Sequence, residues 1–170
     1  MKGTRRTVSP AGATALIERR EAGERPHAPR DRLPRVGIWM HYFAATQQEL
    51  EAMDLDEGPD GSQWPYVDCK GWILEVEEFA GEIDGRDPSE FGRDEPINFD
   101  PADQEYDGPW TLRINAELVA TLTRLDGEQI RAYAHRYLLE DWEAERLLDL
   151  ADLARSAYAE GRHLYVWSSL

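Results

Sequence analysis

The chain has little cysteine, and that scarcity is the first constraint. Cys69 stands alone, which excludes an intramolecular disulfide and fits a reducing cytoplasm. A lone thiol with no partner base is read as a small buried hydrophobe rather than a nucleophile. No apolar run approaches the roughly 18 residues that span a bilayer. The N-terminal stretch also lacks the apolar core of a secretory signal, so the expected setting is the cytoplasm, away from membrane. Several chemical motifs are missing as well. There is no His-x-x-x-His or Cys-x-x-Cys with metal-ligand spacing. There is no Gly-x-Ser-x-Gly nucleophile motif and no Gly-rich loop with phosphate-binding spacing. The sequence therefore suggests no cofactor, no metal and no catalytic residue, and the reading leans away from an enzyme.

What is present is charge, unevenly placed. The 170 residues carry a net −15, yet residues 1–34 hold eight basic side chains against four acidic ones, a net +4. The other 136 residues hold 11 basic and 30 acidic side chains, a net −19. A body this acidic repels nucleic acid and anionic lipid and attracts basic partners or cations. Six tryptophans and seven tyrosines supply large apolar bodies for a core. Length and composition suit one domain from residue 36 to 170, preceded by a tail at 1–35. That basic, Arg-, Ala-, Gly- and Pro-rich tail reads as disordered. Regular patterning begins abruptly at Val36, so a second reading places the true translation start there. A third has the basic arm folding back on the acidic domain.

Along the domain, Val36–Phe43 reads as a strand, with Ile38, Met40 and Tyr42 alternating with Trp39, His41 and Phe43. Thr46-Gln-Gln-Glu49 has capping-box spacing and opens a short helix to about Met53. Asp68 is the expected cap of a second helix with Trp72, Ile73, Val76, Phe79 and Ala80 inward, stopped by Gly81. Trp110–Ile114 reads as a second strand. Asn115 caps a helix through Leu118, Val119, Leu122 and Leu125. Asp126-Gly-Glu-Gln129 opens another, with Ile130, Tyr133, Ala134, Tyr137 and Leu138 inward. A long helix over about 141–160 carries a Leu147, Leu150, Ala151, Ala154, Tyr158 stripe, and His163–Ser168 forms a third strand. The expected fold is α+β, a small three-stranded sheet packed with about five helices in the order β-α-α-loop-β-α-α-α-β.

Between Glu82 and Asp107 the pattern breaks. Ten acids face only Arg86 and Arg93, and Pro88, Pro96 and Pro101 deny the stretch a long helix. Long loops in compact domains are usually functional or disordered, and Phe91, Ile97 and Phe99 are the residues expected to pin this one. The candidate partner-binding residues are Asp84, Asp87, Glu90, Asp94, Glu95, Asp100, Asp103, Glu105, Tyr106 and Asp107. Carboxylates interleaved with Phe99, Tyr106 and Trp110 combine steering charge with aromatic anchors for a basic protein. The plainer alternative is a solvated loop that keeps the protein soluble. Asp54–Gly61 is a poor match to a calcium loop, with Pro65 at the closing position and Pro59 where glycine belongs. His41 and His163 lie on the first and last expected strands. They would meet if those strands were neighbours, giving a small-ligand or catalytic site with nearby tyrosines.

The segments Trp39-Met-His-Tyr-Phe-Ala-Ala-Thr-Gln-Gln-Glu-Leu50, Pro109-Trp-Thr-Leu-Arg-Ile-Asn-Ala-Glu-Leu118 and Leu153-Ala-Arg-Ser-Ala-Tyr-Ala-Glu-Gly-Arg-His-Leu-Tyr-Val-Trp-Ser-Ser-Leu170 resemble the opening, middle and end of an uncharacterised actinobacterial family. More distantly, the plan is similar to the YfbM-like family of small bacterial α+β proteins. The resemblance spans Ile38–Leu170 in outline. It implies an α+β fold in a bacterial cytoplasm and transfers no catalytic residue; the acidic loop and basic tail depart from it. The leading expectation is a non-enzymatic acidic binding protein, an inhibitor or immunity-type partner of a basic protein. The alternatives are a nucleic-acid mimic that occupies a DNA-binding protein, and a ligand-binding protein or enzyme built on His41 and His163.

Overall fold

The computed structural model describes residues 39–61, 63–69 and 75–170. The tail at 1–35, the first residues of the expected opening strand, and Trp72 and Ile73 of the expected second helix lie outside the described residues. The fold is α+β. Strands β1 (Trp39–Ala45), β2 (Tyr66–Asp68), β3 (Glu95–Pro96), β4 (Trp110–Arg113) and β5 (His163–Ser169) form one antiparallel sheet in the order β2-β1-β5-β4-β3. The described helices are α1 (Gln47–Glu51), α2 (Val76–Asp84), α3 (Ala116–Arg124), α4 (Gly127–Arg136) and α5 (Asp141–Glu160), with one 3-10 turn at Pro88–Glu90.

The sheet has five strands, not the expected three. The two additions, β2 and β3, are only three and two residues long, too short to display alternation. Each becomes a strand by pairing with a longer neighbour. Pro96 is tolerated because β3 lies at the sheet edge, where a missing N–H need not break the ladder. Asp68 belongs to β2, opposite His41, and does not cap a helix. Helix α2 runs past the expected stop at Gly81 and ends at Gly85, whose φ of 73° suits a glycine. Gly81 is buried inside the helix, and an added Cβ would sit 2.8 Å from the Arg86 carbonyl oxygen.

The central pair β1–β5 sorts side chains onto two faces. Tyr42, Ala44, Leu164 and Val166 face the helices, meeting Phe79, Leu118, Leu122, Ile130, Leu147, Leu150 and Ala154 in the main core. Phe43, Ala45, Tyr165 and Trp167 face the other way and are covered by Leu50, Met53, Leu55 and Ile97. Burying each Val, Leu, Ile, Phe or Met among them is worth about 1.5–3 kcal/mol, so both faces contribute. The other three expected caps, Thr46, Asn115 and Asp126, are formed. Thr46 Oγ1 accepts from the Glu49 N–H at 3.2 Å and Glu49 returns the bond to the Thr46 N–H at 2.7 Å. Asp126 and Gln129 repeat this reciprocal arrangement at α4, and Asn115 caps α3.

Three residues expected inward point outward. Tyr137 is 47% exposed and Leu138 82%, because α4 ends at Arg136 and the chain turns there, with Leu138 at φ 52°. Tyr158 is 69% exposed, while Ala157 takes the buried position at the end of the α5 stripe.

Candidate functional site

The acidic stretch is built in two halves that use their carboxylates differently. In the first half the charges are mostly committed within the fold. Arg136 pairs with Glu82 at 2.7 Å and Arg124 with Asp84 at 3.2 Å. Arg86 lies 3.7 Å from Glu90, and Arg113 pairs with Glu95 across β3 and β4. Asp87 accepts from the Ser89 hydroxyl and backbone N–H, which hold its carboxyl below the usual range, the hydroxyl contributing most. Asp94 accepts the Asn115 N–H at 2.8 Å, but its burial raises its pKa above the ordinary aspartate value. Phe91 is buried in the main core. Glu82, Asp84, Asp94, Glu95 and Phe91 tie the stretch to α3, α4, β4 and the core, while Asp87 and Glu90 bond to Ser89 and Arg86 within it.

The second half presents its charges outward. Asp100, Asp103, Glu105 and Asp107 are exposed. Asp100 accepts the Ala102 N–H at 2.9 Å and Asp103 the Glu105 N–H at 3.0 Å, so each aspartate shapes a local turn. Among the described residues none of the four carboxylates forms an ion pair. One side chain anchors the half: Asn98 donates to the Pro109 carbonyl at 2.8 Å and to the Tyr106 hydroxyl at 3.1 Å, and accepts the Thr111 N–H at 2.8 Å. Tyr106 in turn donates to the Pro109 carbonyl at 2.5 Å, stacks on Phe99 at 5.9 Å and meets the edge of Trp110 at 6.2 Å.

A second acidic turn lies beside it. Trp167 Nε1 donates to the Leu55 carbonyl at 2.7 Å. Gly58, at φ 80°, packs against the same indole so closely that a Cβ would lie 2.8 Å from the ring. The turn that was compared with a calcium loop is thus fastened to the sheet by a tryptophan. Among the described residues no group of three or more His, Cys, Asp and Glu side chains could hold a metal ion. Between the two turns is an open hollow of about 600 Å³, lined by Met53, Asp54, Leu55, Asp56, Asn98 and Tyr106. Partial burial raises the Tyr106 pKa, and the Asp56 and Asp107 carboxylates add to the rise. The hollow therefore combines an apolar floor, a tyrosine wall and an acidic rim, which suits the stem and charged head of a Lys or Arg side chain. Sequence reasoning included Tyr106 but missed Asp54 and Asp56 as its neighbours. Their only signal was an acidic turn, with Asp54 and Asp56 lying 52 and 50 residues before Tyr106, and nothing in the sequence set it beside that residue.

The histidine pair does not assemble. Strands β1 and β5 are neighbours as that reading required, but His41 sits opposite Trp167 and His163 opposite Ala45, four register positions apart. His41 is instead enclosed by aromatic rings. Tyr66 stacks on it at 5.5 Å, Trp167 meets it edge-on at 5.6 Å, and its Nε2 lies 3.8 Å from the Asp68 carboxylate. Cys69 is buried beside β1, and burial pushes its thiol pKa up to about 12. A thiol so poor in thiolate is a packing residue at neutral pH. No helix among the described residues is long and apolar enough to cross a membrane. A scan against protein-family models, a search of curated proteins and a search of solved structures each returned no match.

Proposed function

We propose that this chain is a non-enzymatic acidic binding protein of the cytoplasm, an inhibitor or immunity-type partner of a basic protein. The observation that carries the reading is the set of four exposed carboxylates, Asp100, Asp103, Glu105 and Asp107, without ion pairs among the described residues, in the same segment as Tyr106, which lines a hollow with Asp54 and Asp56. Uncommitted charge steers a cationic partner toward the surface, and a hollow with an aromatic wall gives that partner a place to anchor. The nucleic-acid mimic is less favoured, because a mimic needs acids repeated along one face like phosphates. Here Glu82, Asp84, Glu90 and Glu95 are already neutralised by arginines.

The test is capture of basic proteins from a lysate of the native host at low ionic strength. The wild-type protein is compared with a variant carrying Asp100→Asn, Asp103→Asn, Glu105→Gln and Asp107→Asn. The proposal expects wild type to retain a basic protein that salt releases and that the variant fails to retain. Equal retention by both proteins, or none by wild type, refutes it.

A further inference from the structure

We infer that the cleft beyond the opposite end of β4, lined by Arg93, Arg113, His163 and Tyr158, binds a small organic oxyanion with a flat apolar body. The acidic hollow is tied to the start of β4 through Tyr106 and Asn98, while this cleft takes in Arg113 at its end. The cleft encloses about 410 Å³, within the range of small-molecule sites, about 300–1,000 Å³. Three arginines, Arg93, Arg113 and Arg162, converge there against one acid, Glu95. Glu95 pairs with Arg113, and Glu49 and Glu160 pair with Arg162, so among the described residues Arg93 is the lining arginine whose charge is not balanced by an ion pair.

The three guanidinium groups are not equivalent. Arg162 is fully engaged: Glu49 lies 3.0 Å from Nη2, Glu160 lies 3.1 Å from Nε, and Nη1 donates to the Ala44 carbonyl. Its charge is balanced by those two carboxylates, and it forms a fixed part of the wall. Arg113 gives Nη2 to Glu95 and its guanidinium also acts on the Tyr165 hydroxyl, which together hold the group in place. Arg93 is exposed and makes no ion pair among the described residues. A free planar fork beside an anchored one is the donor geometry that carboxylates and phosphates accept, often in bidentate fashion. His163, also exposed, adds a ring donor at the same mouth.

The remaining wall is apolar. Val119 and Leu164 line it, and the Tyr158 ring stands 69% exposed beside them. Tyr158 lies off the buried α5 stripe, where Ala157 takes the inward position, and a ligand with a flat apolar portion would cover its ring. Arg93 and Arg113 hold the anionic head, and Tyr158 and Val119 receive the body.

The test is an amide-resolved NMR titration with inorganic phosphate, phenyl phosphate and benzoate at matched ionic strength. Saturable shifts are expected at Asn115, His163 and Leu164, with phenyl phosphate binding at least about threefold more tightly than inorganic phosphate because of the ring contact. The benzoate arm reports which head group, carboxylate or phosphate, the site takes. Arg93→Ala is expected to weaken binding roughly tenfold and Arg93→Lys to weaken it less, since charge is kept but the fork is lost. Glu128→Gln, exposed on α4 and outside both cavities, should leave it unchanged. Shifts that never saturate with any of the three probes, or an Arg93→Ala variant that binds as well as wild type, would overturn the assignment.

Discussion

Replacing Asn98 by alanine removes three hydrogen bonds at one stroke. The amide nitrogen serves the Pro109 carbonyl at 2.8 Å and the Tyr106 hydroxyl at 3.1 Å, and the amide oxygen serves the Thr111 N–H at 2.8 Å. A net contribution of about 1 kcal/mol per bond gives a loss of about 3 kcal/mol. The Thr111 N–H makes that sum realistic, because Thr111 is wholly buried and no water replaces the lost acceptor without rearrangement. For a domain of this size such a loss lowers Tm by roughly 10 °C. Urea unfolding followed by tryptophan fluorescence measures it, and an unchanged m-value would show that the folded and unfolded states keep their exposure. Asn98→Asp is the companion variant. It keeps the acceptor for Thr111 but loses both donors and sets a carboxylate against the Pro109 carbonyl, so most of the loss should persist at neutral pH. If Asn98→Ala costs less than about 0.5 kcal/mol, the ordinary range for a bland surface change, then the second half of the acidic stretch is not held as described.

Two further predictions concern titration and reactivity. Asp94 is raised by burial, so its contribution is full below the unfolded aspartate value near 3.9 and is lost as pH rises through the folded value. Asp87 is lowered, chiefly by the Ser89 hydroxyl, so its contribution is full above that value and is lost as pH falls through the folded one. Between pH 3 and 7, roughly the span about the unfolded value, Asp94→Asn should gain stability relative to wild type as pH rises, and Asp87→Asn should lose it. Parallel curves for the two variants in urea titrations would contradict both assignments. Cys69, with its thiol near 12 and its side chain buried, should react with a chromogenic disulfide only on global opening. A native-state rate close to that in urea would mean that the β2 side of the sheet opens locally.

Much of the fold was legible because long elements repeat their signal. Helix α5 shows Leu147, Leu150, Ala151 and Ala154 at helical spacing, and β1 and β5 are seven residues each and rich in aromatic and apolar side chains. The Thr46 and Asp126 caps were readable because reciprocal capping fixes residue types three positions apart. Strands β2 and β3 were not, since two or three residues carry no period and their pairing partners are remote in sequence. Gly81 and Gly85 present the same stop signal four residues apart, and only the closeness of the Arg86 carbonyl shows that the first is a packing glycine. At the candidate site the ten acids were visible but their fates were not. The arginines that neutralise Asp84 and Glu82 come from α3 and α4, 40 and 54 residues further on. Local sequence gives no hint of which carboxylates those long-range pairs consume and which they leave.

The central claim is that the uncommitted carboxylates, not the paired ones, receive the basic partner. It is tested most directly by the association rate of the captured partner as a function of ionic strength, for three proteins: wild type, the variant neutralised at Asp100, Asp103, Glu105 and Asp107, and a variant carrying Asp84→Asn and Glu90→Gln. Steering charge acts on the on-rate and is screened over about 10 Å at 0.1 M salt. The first variant should associate at least about tenfold more slowly at low salt, with a flattened salt dependence. The second should stay close to wild type. Equal slowing in both variants, or a wild-type on-rate indifferent to salt, would contradict the account.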